Sequence, residues 1–184
     1  MKLLFVSNGT RSFVYRDIQN RPLSEIDTGP RLVVIGAYCL MPNHFHFLVR
    51  EIVDGGISKF MGKLLTSYSS YFNKRHGRTG RLFEGTFKAE HVFYDGYLKY
   101  LFSYIHLNPI KLIQKDWKEK GIRNKSAAVK YLNNYQYSSY IEYSTGSVDG
   151  SLILSKNAFP EYFTDIADME TEVVEWLDTW GVNT

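Results

Sequence analysis

The chain has 184 residues, 44% of them hydrophobic, and a formal net charge of +3. That length supplies one substantial core, which favours a single compact domain with a modest extension over two independent domains. The single cysteine, Cys39, excludes an intrachain disulfide, and no segment approaches the roughly 18 apolar residues of a membrane span, so the chain reads as soluble, cytoplasmic and not membrane-bound.

The charge is unevenly distributed. Residues 161–184 hold seven carboxylates and no Lys or Arg, which leaves 22 basic against 12 acidic side chains in residues 1–160. Such a body suits a polyanionic partner, although many mildly basic domains never meet one. The 14 tyrosines and 12 phenylalanines suit base stacking as well as they suit a core.

In chain order, Leu3 to Val6 is apolar but too short for a signal-peptide core, and Arg16 to Pro30 is polar. Arg31 to Leu40 (RLVVIGAYCL) is rich in β-branched and aromatic residues and reads as a strand, stopped by Met41-Pro42-Asn43. His44 to Arg50 (HFHFLVR) reads as a second strand. Its period of two puts His44, His46, Leu48 and Arg50 on one face and Phe45, Phe47 and Val49 on the other. Two imidazoles side by side can grip one divalent cation. The same pairing also occurs in cupins, zinc hydrolases and ordinary cores, so the pair alone decides nothing.

After the Asp54-Gly55-Gly56 turn, Ile57, Phe60, Met61, Leu64, Leu65, Tyr68 and Phe72 recur at helical spacing up to His76-Gly77. Lys59 and Lys63 fall off that stripe, towards solvent. Arg78 to His91 (RTGRLFEGTFKAEH) reads as a hairpin turning at Glu84-Gly85. A second amphipathic helix runs from Tyr94 to Leu107 with Leu98, Leu101, Phe102 and Ile105 on its buried side.

On that helix Tyr104 and Asn108 stand one turn apart on a flank clear of the apolar stripe. A phenol and an amide oxygen can therefore face one spot, although Pro109 disfavours helical geometry at Asn108. A half-buried aromatic and a helix terminator would look the same. His106 points about 160° away from Tyr104 around the helix and reads as non-catalytic.

Beyond Trp117 come a short helix near Ser126 to Leu132, the tyrosine-rich run Tyr135 to Tyr143 (YQYSSYIEY), and a last helix with Ile166, Met169, Val173, Trp176, Leu177 and Trp180 on one side and acids on the other. The division expected is a domain over residues 1–123 and a C-terminal helical extension over 124–184, acidic at its end. There is no internal repeat.

Three stretches, AYCLMPNHFHFLV (Ala37 to Val49), GRLFEGTFKAEHV (Gly80 to Val92) and YLKYLFSYIHLNPIK (Tyr97 to Lys111), resemble, in order, the signature segments of the single-tyrosine HUH transposases, especially the REP-associated tyrosine transposases. The resemblance spans residues 31 to 115. It implies an α+β, ferredoxin-like fold: an antiparallel sheet with helices packed on one face, the histidines on a central strand facing the tyrosine helix. It implies His44 and His46 as metal ligands, Asn108 as the polar third ligand and Tyr104 as nucleophile. By this resemblance the N-terminal part of the domain is reduced, since Leu3 to Val6 and Asn8-Gly9-Thr10-Arg11 only loosely match the opening strand and the segment after it.

The implied activity is metal-dependent cleavage and rejoining of single-stranded DNA through a 5′-phosphotyrosine intermediate, at sites flanked by a hairpin or inverted repeat. An ordinary tyrosine has a pKa of about 10, so roughly 0.1% is phenolate at neutral pH, and help from a cation, Mg²⁺ or Mn²⁺, suits the chemistry. Lys59, Lys63, Lys74, Arg75, Arg78, Arg81 and Lys88 form a candidate DNA-phosphate surface. A catalytically inactive hairpin-binding remnant and a cupin-like metal enzyme are the alternatives, and both monomer and homodimer stay open.

Overall fold

The computed structural model describes residues 1–145 and 152–160. In chain order they form α1 (Lys2–Ser7), α2 (Tyr15–Ile18), a 3-10 turn (Leu23–Glu25), β1 (Val33–Leu40), β2 (Phe45–Glu51), α3 (Gly56–His76) and α4 (Asp95–Leu107). A second 3-10 turn (Asn108–Leu112), α5 (Trp117–Lys120), α6 (Lys125–Leu132), α7 (Tyr140–Thr145) and a last 3-10 turn (Lys156–Ala158) follow. The α+β class expected from the sequence holds, with β1 and β2 forming a two-stranded antiparallel hairpin. The acidic final helix expected to carry Ile166 to Trp180 lies outside the described residues.

The chain divides into two compact units, and β1 and β2 each contribute to both. The first unit comprises residues 1–34 and 49–91. Its opening segment is a helix where the resemblance implied a strand. Leu4 and Val6 of α1 are buried, and α1 packs against α3, where Phe60 and Met61 are buried. The pairing role passes to the next residues. Leu32 N–H donates to the Asn8 carbonyl (2.8 Å), Thr10 N–H to that of Pro30 (3.0 Å) and Arg11 N–H to that of Thr28 (3.0 Å). The Asn8 side-chain amide adds two bonds to the Val33 backbone, both 3.0 Å, and thereby acts as an extra ladder rung. Gly9 is required for this approach, because a Cβ there would lie 2.1 Å from the Thr28 carbonyl oxygen.

The start of α3 is capped from β2. The Glu51 carboxylate accepts from Gly55 N–H (3.2 Å) and Ile57 N–H (2.9 Å), pairing a negative charge with otherwise unsatisfied donors at a helix N-terminus. Gly77, with φ of +61°, closes the other end.

The expected hairpin over residues 78–91 is not formed; the segment contains no strand. Its three larger apolar residues, Leu82, Phe83 and Phe87, are partly buried but do not alternate as a half-buried hairpin requires. The segment is instead tied to the end of α3, through Arg78 N–H to the Asn73 carbonyl (2.9 Å) and the Asn73 amide to the Gly80 carbonyl (2.8 Å).

The second unit comprises residues 35–48 and the described part of 92–184. One apolar cluster joins Ala37, Cys39 and Met41 to Leu48, Phe102 and Ile105. A second joins Leu107, Ile110, Trp117, Ala128, Leu132 and Tyr140, so residues that follow position 123 share a core with the end of α4. The tyrosine-rich run lines β1 as a strand-like edge: Leu40 N–H donates to the Tyr137 carbonyl (2.8 Å) and Ser139 N–H to that of Tyr38 (2.9 Å). Cys39 is buried, which pushes its thiol up to about 12 and makes it an inert packing residue.

Candidate active site

All four residues expected to carry chemistry fall in the second unit. The turn before β2 is closed by Met41 N–H donating to the His44 carbonyl (2.8 Å). From there the period of two sets the imidazoles of His44 and His46 side by side, with ring centroids 5.1 Å apart and planes at 89°. Leu48, next on that face, is buried in the core cluster with Phe102 and Ile105 of α4. This packing anchors the histidine strand beside the tyrosine helix.

The two imidazoles are held differently. His44 is exposed, and its Nδ1 lies 2.7 Å from Asn43 Oδ1; with that oxygen accepting, the proton sits on Nδ1 and the lone pair on Nε2. His46 is half-buried, and its Nε2 is enclosed with no hydrogen-bond partner. Burial, then the charges of His44, Lys118 and Lys111, draw the His46 pKa down to about 4. Burial and the same two lysines lower His44 as well. Both rings are thereby kept in the neutral form that binds metal.

Tyr104 projects from α4 against this pair, its ring centroid 5.6 Å from that of His46 at an interplanar angle of 77°. Asn108 keeps helical geometry (φ −50°, ψ −38°) despite Pro109, because the chain passes there into a 3-10 turn with proline at its first positions. The Asn108 Nδ2 donates to the Tyr104 carbonyl (2.8 Å), so Oδ1 is the end of the amide left with metal-binding chemistry. Among the described residues no three His, Cys, Asp or Glu side chains gather as a metal cluster. A cation at this place would draw on two neutral imidazoles and an amide oxygen, a mixed donor set that divalent ions accept, and the enclosed, unpartnered His46 Nε2 fits that use.

Two further features at this site escaped the sequence reading. Lys118 Nζ donates to the Tyr104 hydroxyl (2.9 Å) and lies 4.2 Å from the centre of its ring. A lysine 14 positions from its partner, across a proline and a 3-10 turn, has no periodic signal to betray it. Tyr94, Tyr97, Tyr100 and Tyr104 form a ladder along α4. Tyr97–Tyr100 and Tyr100–Tyr104 are stacked, with centroids 5.8 and 6.1 Å apart. That ladder was visible as the spacing 3, 3, 4, but attention to the apolar stripe hides it.

His106 is fully buried, with Nε2 2.7 Å from Ser139 Oγ, and burial holds its pKa down to about 3. The same hydroxyl accepts from Tyr38 N–H (2.9 Å), so His106 ties α4 to β1.

The seven basic residues expected to meet DNA fall in the first unit. Lys59 donates to the Asp54 carbonyl (3.1 Å). Lys63 donates to the carbonyls of Gly9 and Arg11 and so staples the ladder segment to α3. Arg75 Nη1 donates to the Tyr71 hydroxyl (3.1 Å), and the Arg78 guanidinium lies 5.7 Å from the Phe72 ring centre. Lys74, Arg81 and Lys88 are exposed.

Residues 22–108 match the family model described as transposase IS200 like. No curated protein and no solved structure gives a significant match.

Proposed function

We propose, from the match of residues 22–108 to the IS200-like transposase family, that the protein cleaves and rejoins single-stranded DNA through a 5′-phosphotyrosine formed at Tyr104. The single observation that carries the reading is the packing of the Tyr104 ring against His46, 5.6 Å between centroids, beside an enclosed, unpartnered imidazole nitrogen. The roles of His44 and His46 as the HUH pair, Asn108 as the polar ligand and Tyr104 as the nucleophile are those the sequence resemblance implies, and this packing supports them.

In cleavage the Tyr104 oxygen attacks the scissile phosphorus. The new O–P bond forms as the P–O3′ bond breaks, leaving a 5′-phosphotyrosine and a free 3′-hydroxyl. Rejoining is the reverse, with another 3′-hydroxyl as attacker, and the phosphotyrosine conserves the bond energy, so no nucleotide cofactor is consumed. His44, His46 and Asn108 would hold Mg²⁺ or Mn²⁺, which when bound neutralises charge on the phosphate. The substrate is a strand carrying a hairpin or inverted repeat. Lys59, Lys63, Lys74, Arg75, Arg78, Arg81 and Lys88 supply positive field for its backbone.

The test uses single-stranded oligonucleotides that tile the DNA flanking the gene, chosen for any short inverted repeat found there, with Mn²⁺ in the reaction. The expected result is a denaturation-resistant protein–DNA adduct that disappears in Tyr104→Phe and on chelation of the metal. No adduct, or one undiminished by Tyr104→Phe, rejects the proposal, and salt-sensitive binding without any adduct identifies a binding module instead.

A further inference from the structure

We propose that Lys118 is a catalytic residue of strand transfer, holding the Tyr104 oxygen and offsetting its negative charge both as nucleophile in cleavage and as leaving group in rejoining. The proposal rests on the reading of Tyr104 as nucleophile. Lys118 lies beyond the family match, which ends at residue 108.

The contact is specific at both ends. An ammonium can only donate, and Lys118 Nζ donates to the phenol oxygen at 2.9 Å. The same charge lies 4.2 Å from the ring centre, within the range of a cation–π contact, so one cation both orients the ring and touches its reactive atom.

The surrounding chain fixes that cation in place. Trp117, the preceding residue, is 1% exposed and sits in the cluster with Leu107, Ile110 and Leu132, which pins α5 to the end of the tyrosine helix. The Gln114 side chain closes the loop around α5, donating to the Gly121 carbonyl (2.7 Å) and accepting from Arg123 N–H (3.1 Å). The neighbouring cations are turned elsewhere: Lys120 and Arg123 both engage the Asp116 carboxylate. Lys118 alone of the three is directed at Tyr104.

The chemistry asks for a donor here twice. In cleavage the phenolic proton leaves to solvent, the O–P bond forms, and the departing 3′ oxygen takes a proton from solvent; Lys118 keeps its own proton and donates a hydrogen bond throughout. In rejoining the 3′-hydroxyl attacks, the O–P bond of the phosphotyrosine breaks, and the electron pair returns to the Tyr104 oxygen, where the ammonium already stands. A preorganised donor at an oxygen that gains charge is worth about 100- to 1,000-fold in rate.

The experiment measures three quantities on the full chain with the labelled inverted-repeat oligonucleotide and Mn²⁺: the Kd for DNA, the single-turnover rate of adduct formation, and the rate at which purified adduct is resolved by a strand ending in a 3′-hydroxyl. Lys118→Met is expected to slow both chemical steps by about 100-fold while leaving Kd within about twofold and the unfolding midpoint unchanged; Lys118→Arg is expected to restore most of the rate. Should Lys118→Met unfold, Lys118→Gln takes its place. Wild-type single-turnover rates in the Met or Gln variant, or a loss confined to Kd, overturn the proposal while the Tyr104 reading stands. A wild-type chain that forms no Tyr104-dependent adduct overturns both.

Discussion

The two units hold their functional groups in opposite ways. In the second unit the proposed chemistry is enclosed except at His44, which is exposed: Asn108 is 2% exposed, His46 Nε2 is shut in, and Tyr104 is contacted by His46, Tyr100 and Lys118. In the first unit Lys74, Arg75, Arg78, Arg81 and Lys88 are exposed at the end of α3 and in the strandless segment after it. The difference suits the two proposed roles. Attack on a phosphorus needs atoms placed to within a fraction of an ångström, whereas a phosphate backbone is attracted by charge that need not be fixed.

The strongest way to break that comparison is to loosen the enclosed unit from a distance. Trp117→Ala removes a fully buried indole from the cluster that supports both α5 and the end of α4, and a cavity of this kind costs about 3–5 kcal/mol. Urea unfolding is expected to show that loss, together with a fall in adduct formation out of proportion to any change in DNA affinity, because this cluster holds α5, which carries Lys118, against Leu107 at the end of the tyrosine helix. A variant that keeps wild-type stability would mean that α5 is held by something other than its tryptophan.

The exposed unit should respond differently. Glutamine at Lys74, Arg75, Arg78, Arg81 or Lys88 is expected to leave the rate at saturating DNA unchanged and to weaken binding in a salt-dependent way. Each phosphate contact removed should lower the slope of log K against log salt by about 0.7 for a single strand. Fluorescence-anisotropy titrations over a range of salt read this directly, and unchanged slopes across all five would take the DNA surface away from this unit. Lys63 belongs to a separate class, since its bonds to Gly9 and Arg11 make its loss a matter of folding as well as charge.

The same contrast separates what was legible in the sequence from what was not. Strand and helix periods marked β1, β2, α3 and α4 to within two residues at each end, because those elements bury one face and expose another. The flank shared by Tyr104 and Asn108 followed from helix geometry alone and survived Pro109. Arg78 to His91 misled because glycines and scattered aromatics imitate a hairpin that has no face to bury. Asn8 to Arg11 was hidden because its pairing uses an asparagine side chain as a rung and a glycine for clearance, neither of which carries an apolar signature. Lys118 was hidden because tertiary packing of Trp117, not sequence spacing, brings it to Tyr104. Enclosed polar contacts are long-range products of the core, whereas a surface charge can be counted in one dimension.

The smallest effects should come from two carboxylates that restate the comparison. In the first unit Asp27 pairs with Arg11 at 2.5 Å, with side chains 65% and 63% exposed, and such a pair contributes about 0–1 kcal/mol. In the second unit Glu142 is buried. It accepts from the Tyr38 hydroxyl and has its other oxygen enclosed without a partner, while Lys156 donates to its backbone carbonyl (2.8 Å). Burial raises the Glu142 pKa against the opposing pull of Tyr38 and Lys156. A carboxyl raised on folding favours the folded state most when protonated, so its contribution is full below the unfolded carboxylate pKa of about 4.3 and is lost as pH rises from there through the folded value. Glu142→Gln removes that dependence. Thermal melts should therefore show the variant gaining on the wild type as pH rises above about 4.3, whereas Asp27→Asn changes stability by at most about 1 kcal/mol. A Glu142→Gln difference that stays constant with pH would mean that this carboxyl titrates in the folded chain as it does in the unfolded one, and that enclosure in the second unit does not penalise its charge.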